Sequence, residues 1–82
     1  MTLELTILEI LKLSEGFLMP KNTLVSEVRI RDARPTLGEI ESAMRSLEGQ
    51  SQIVGITNKD ASGGSKWEIT DAGKSRLSKA GL

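Results

Sequence analysis

The chain has no cysteine and no histidine. Without cysteine there is no disulfide and no thiolate to bind a metal or attack a substrate, and without histidine the commonest metal ligand and general base is missing. Most zinc-site and nucleophile-base chemistries are excluded, and no cofactor is expected. Aromatic content is confined to Phe17 and Trp67. Single-stranded RNA is usually gripped by stacking on exposed aromatic rings, so that mode is disfavoured. No apolar run approaches the roughly 18 residues that a membrane span requires. Glu4 and Glu9 stand where a secretory leader would carry a basic start, which gives a cytoplasmic expectation. Net charge is lacking too, because eleven Lys and Arg balance eleven Asp and Glu. Any attraction for phosphate must therefore come from where the charges lie.

What is present suits one small folded unit. A chain of 82 residues with 38% hydrophobic and 27% charged residues has enough apolar surface for one core and too little length for two, so a single domain over residues 1–82 is expected. Charge alternates along it: residues 1–20 and 38–51 are net acidic, and residues 21–37 and 52–82 net basic.

Periodicity gives the order of elements. Leu3, Ile7, Leu8, Ile10 and Leu11 recur at helical spacing, which predicts a first helix over Leu3–Leu13 with Gly16 as an end signal. Leu5 and Leu13 fall on the opposite side of that helix, so it is apolar over more of its circumference than one core would use. Phe17-Leu18-Met19 has room for no more than an edge strand, and Pro20 suits the first turn of a second helix, over about Lys21–Arg31. Leu24, Val25 and Val28 form the buried stripe of that helix, and Ile30 fits it poorly. Pro35 biases Arg34 away from helical geometry and closes a tight turn. Thr36-Leu37-Gly38-Glu39 is a capping box that opens a third helix, with Leu37, Ile40, Met44 and Leu47 as its core stripe and Gly49 as its stop. Two β-prone runs follow, at about 52–58 and 65–69, separated by a turn containing Asp60, Gly63 and Gly64. Thr70 caps a short last helix with Gly73, Leu77 and Ala80 on one face. Trp67, alternating with Glu68 on a strand, is expected beneath the hairpin rather than on a base.

Three helices, a tight turn between the second and third, and a glycine-tipped hairpin after the third resemble the winged helix-turn-helix superfamily, an α+β fold with a three-helix core, a two-stranded wing and a short C-terminal helix. The run Trp67-Glu68-Ile69-Thr70-Asp71-Ala72-Gly73-Lys74-Ser75-Arg76-Leu77 is similar to the segment by which MarR-like and PadR-like regulators leave the wing and enter their last helix. The resemblance implies a sequence-specific DNA-binding transcriptional regulator and not an enzyme, with the third helix in the major groove of double-stranded DNA and the wing on the backbone. It also implies a homodimer through the first and last helices, to which Leu5 and Leu13 would contribute.

On the third helix the face opposite the core stripe carries Gly38, Glu39, Ser42, Arg45, Ser46 and Gly49. Arg45 has the fork that pairs with guanine, and Thr36, Ser42 and Ser46 offer hydroxyls to bases or phosphates. Arg29, Arg31 and Arg34 gather at the turn before this helix, and Lys59 and Lys66 flank the wing tip, in positions that suit backbone contacts. Two readings stay open. The arginines and lysines are either phosphate clamps or a solvated surface whose partners are Glu27, Asp32, Asp60 and Glu68. Likewise the small, nearly neutral helix face suits either a groove floor or a protein partner, and in the latter case the domain is a docking module that does not bind DNA.

Overall fold

The computed structural model describes residues 2–56 and 66–81. Within them the chain runs α1 (Leu3–Leu13), β1 (Met19–Pro20), α2 (Lys21–Arg31), α3 (Leu37–Gly49), β2 (Ile53–Ile56), β3 (Lys66–Ile69) and α4 (Asp71–Lys79). The residues between β2 and β3, including Lys59, Asp60, Gly63 and Gly64, lie outside the described residues.

Packing explains the unusual breadth of apolar surface on α1. Ile7, Leu8, Ile10 and Leu11 are all buried, because α1 touches α2, α3, α4 and β3 and is thus surrounded rather than laid over one face. Leu5 packs partly against the same core. The sequence-based placement of Leu5 on an outer face is corrected accordingly, since a central helix buries several sides at once. Leu13, at the end of the helix, remains 71% exposed.

The third helix starts where the capping box places it. Thr36 Oγ1 accepts from the Glu39 N–H and the Glu39 carboxylate accepts from the Thr36 N–H, both at 3.1 Å. Ile40, Met44 and Leu47 are buried. Leu37 is not: it has the right helical phase but lies one turn beyond the end of the core, where it is 45% exposed. The stop is also displaced. Gly49 is the last helical residue, and Ser51 takes the left-handed conformation at φ 58°. Ser51 N–H donates to the Glu48 carbonyl and Gln52 N–H to the Leu47 carbonyl, the paired bonds of a Schellman ending with serine in the usual glycine position.

The sheet is antiparallel with order β1-β3-β2, so β3 is central and the expected two-stranded arrangement gains a third strand. Met19 pairs with Trp67 and Pro20 with Lys66. Pro20 is thereby the end of an edge strand and the N-cap of α2, not its first turn. On the other side of β3, Gly55 lies opposite Trp67. A Cβ at position 55 would come within 2.9 Å of the indole ring, so the ring lies over the glycine.

One residue joins these parts. Thr70 Oγ1 accepts from the Gly73 N–H at 3.2 Å, capping α4, and donates to the Ser51 carbonyl at 2.6 Å, while its N–H donates to the Gln52 carbonyl. The last helix is thus fastened to the end of α3. Arg76 adds a second tie, donating to Gln52 Oε1 at 2.9 Å and to Glu4 Oε1 of α1 at 3.3 Å. Ala80, expected on the buried face of this helix, is its exposed C-cap.

Candidate nucleic-acid interface

The outward face of α3 holds the residues read from the sequence. Gly38, Glu39, Ser42, Arg45, Ser46 and Gly49 are all exposed. Neither glycine is required by internal packing: a Cβ at Gly49 would have no neighbour within 4 Å, and one at Gly38 would meet only Thr36 Oγ1 at 3.9 Å. Most side chains on this face are small, and the space beside both glycines is open.

The carboxylates on this helix are mostly engaged. Glu39 is held in the capping box, and Glu41 pairs with Lys21 of α2 at 3.3 Å. Ser46 Oγ accepts from the Gln50 side chain at 3.2 Å, leaving its own hydroxyl proton free to donate. Arg45 has no ion-pair partner among the described residues and borders a small concavity with Lys21, Glu41, Met44 and Trp67. The Trp67 indole thus stands beside the exposed helix, at the base of the strands, as expected of a packed residue. Its Nε1 is shielded from solvent and has no hydrogen-bond acceptor among the described residues.

The three arginines at the α2–α3 turn are not one cluster. Arg31 bonds to Glu27 on its own helix at 3.1 Å. Arg34 makes a two-pronged contact with Asp32, Nε to Oδ1 at 2.9 Å and Nη2 to Oδ2 at 3.2 Å, although its side chain is 91% exposed. That hydrogen bond holds the Asp32 carboxyl below its ordinary value. Both arginines border a concavity on the α1 side, with Thr6 and Glu9. Arg29 belongs elsewhere: it is exposed, has no ion-pair partner among the described residues, and borders a second concavity shared with Leu37 of α3. Lys66 is exposed at the start of β3, and Lys59 lies outside the described residues.

Sequence reasoning passed over the α2 residues that accompany Arg29. Lys21, Asn22 and Ser26 line the same concavity. Their spacing, with Asn22 and Ser26 four apart and Lys21 and Arg29 two turns apart, was the available signal, since it sets donor groups along one helical strip about 12 Å long.

A solved structure of a PadR family transcription regulator from hypervirulent Clostridium difficile is similar to this chain, with a TM-score of 0.76 and 23% sequence identity over 96% of this chain and 82% of that one. The fold is a winged helix. No protein-family model matches the sequence, and no curated protein does either. In the winged helix, α2 and α3 form the helix-turn-helix, β2 and β3 the wing strands, and β1 the short strand that completes the sheet. Among the described residues no group of three or more acidic side chains is placed to hold a metal ion, and no helix is long and apolar enough to cross a membrane.

Proposed function

We propose that this chain is a sequence-specific DNA-binding transcriptional regulator, with α3 in the major groove and the wing strands toward the backbone. One observation carries the reading: α3 presents an open face of small side chains, its own carboxylates at positions 39 and 41 are tied back into the protein, and Arg45 is left with no ion-pair partner among the described residues. A groove floor needs close approach and a forked donor, and this face has both. The family of the similar fold supports it. In this reading Thr36, Ser42 and Ser46 supply hydroxyls beside Arg45, while Arg29, Lys66 and Lys59 contact phosphates. Arg31 and Arg34 serve the backbone only by exchanging Glu27 and Asp32 for phosphate, so their contribution is smaller.

The active form in this proposal is a homodimer through the end of α1 and α4. Leu13 and Phe17 are 71% and 78% exposed, and Leu13 borders a hollow with Glu9, Lys12, Glu15 and Leu77 of α4. An exposed apolar side chain beside a hollow walled by α1 and α4 suits a second copy. Sedimentation at about a hundred micromolar, where even a weak interface populates dimer, should show the twofold mass.

A mobility-shift titration against a random duplex pool at two salt concentrations tests the main reading. Binding should weaken as salt rises. On a duplex selected from that pool, Arg45→Ala should cost about 1–3 kcal/mol and relax preference at one base pair. The rival reading, a module that docks on a protein, is favoured by the zero net charge and by the internal pairing of Arg31 and Arg34. It wins if no duplex binds at low salt.

A further inference from the structure

Leu37 has the helical phase of a core residue and the exposure of a surface one. With Val25 it forms the apolar part of the concavity between α2 and α3, whose other walls are Lys21, Asn22, Ser26 and Arg29. This lining is distinctive in charge: two cations, an amide, a hydroxyl and no carboxylate, in a chain whose total charge is zero. Lys21 is shared with Glu41, whereas Arg29 has no ion-pair partner among the described residues. Such a rim suits a polyanion. A polyanion that also offers an apolar contact narrows the choice.

In the major groove the apolar feature of a base pair is the C5-methyl of thymine, which side chains such as alanine, threonine methyl and phenylalanine read by contact. The first turn of a helix lying in that groove is the part that reaches base edges. Leu37 is in that turn, and the next residue, Gly38, leaves open space beside it. Resting on the DNA-binding reading, we infer that Leu37 is a specificity-determining residue that packs on a thymine methyl, while Asn22, Ser26 and Arg29 hold phosphates of the neighbouring backbone. The exposure of Leu37 then has a reason that core packing does not provide. It also supplies a second reader to a helix whose one arginine would otherwise specify few positions.

Replacing thymine by deoxyuridine removes only the methyl group, so the inference can be tested on the DNA as well as on the protein. A duplex selected from a random pool is synthesised with each thymine changed in turn to deoxyuridine, and each version is titrated with wild-type chain and with Leu37→Ala. The wild type should lose about fourfold in affinity at one thymine, or at a symmetric pair, the factor that one buried methyl-sized group is worth. Leu37→Ala should bind the unmodified duplex more weakly and show no further loss at that position. Its melting temperature, measured alongside, should stay near that of the wild type. Indifference of the wild type to every deoxyuridine, or an equal loss in Leu37→Ala, overturns the inference while leaving DNA binding intact. Failure of the wild type to bind the unmodified duplex removes both.

Discussion

Gly73 stands where α4 crosses the start of β2. A Cβ there would run into the Gln52 carbonyl oxygen and lie 2.7 Å from Ile69 Cγ1 and 3.0 Å from Leu8 Cδ2. One of those neighbours is backbone and the other two are core side chains, so none can swing away freely. Gly73→Ala should therefore destabilise the chain by about 2–3 kcal/mol, an overpacking cost, and lower the melting temperature in a thermal scan by on the order of 10 °C. Gly38 is the contrasting case. With no neighbour closer than 3.9 Å to a Cβ, Gly38→Ala replaces a poor helix former with a good one and should raise stability by roughly 0.5–1 kcal/mol. If α3 enters a groove, the same methyl group should weaken duplex binding, so stability and affinity move in opposite directions. A Gly38→Ala chain that melts higher and binds its selected duplex unchanged would show that nothing approaches that face closely.

At the scale of elements, α3 is the best specified. Its capping box satisfies two backbone donors reciprocally, and Thr36→Ala should cost about 1 kcal/mol in denaturant unfolding, with loss confined to the start of the helix in amide exchange. The box was legible because four consecutive residues carry it. The stripe of α2 and the face of α3 were legible for a similar reason, each repeating within one helix, as were Gly73 and Leu77 of α4 but not Ala80, which falls past the end of that helix. The fate of Leu37 was not, because helical phase gives a direction and says nothing of whether another element covers that end. The surplus of apolar residues on α1 misled in the same way, since only the tertiary fold surrounds it with three helices and a strand. The strand β1, at 2 residues, is too short to have a period. Among the site residues, Arg31 with Glu27 and Arg34 with Asp32 could be paired from sequence because they are neighbours on the chain. Lys21 with Glu41, and the separation of Arg29 from the other two arginines, depend on how α2 lies against α3.

For the molecule as a whole, the absence of histidine and cysteine leaves no side chain with an ordinary pKa between about 5 and 8. Asp32 has its pKa lowered from 3.8 by the Arg34 hydrogen bond, so its contribution to stability is complete above that ordinary value and is lost as pH falls through the folded one. Lys74 has its pKa raised from 10.5 by its bond to Glu15, so its contribution is complete below that value and is lost as pH rises past the folded one. Thermal melts across pH should show a plateau from about 5 to 9 with a fall on either side, and Asp32→Asn should shallow the acid limb. If α3 binds a duplex as proposed, any change in affinity within that plateau belongs to the interface and not to unfolding. The position of Trp67 makes the interface visible without a label. As the sole indole, in a chain with no tyrosine, it alone emits under excitation at its red edge, and its place beside Arg45 at the root of the wing makes that emission a local reporter. Unfolding should move the emission to longer wavelength, whereas a ligand on α3 should change its intensity in the folded state. A second copy docking at Leu13, whose hollow shares no residue with the concavity beside Trp67, should change that intensity less.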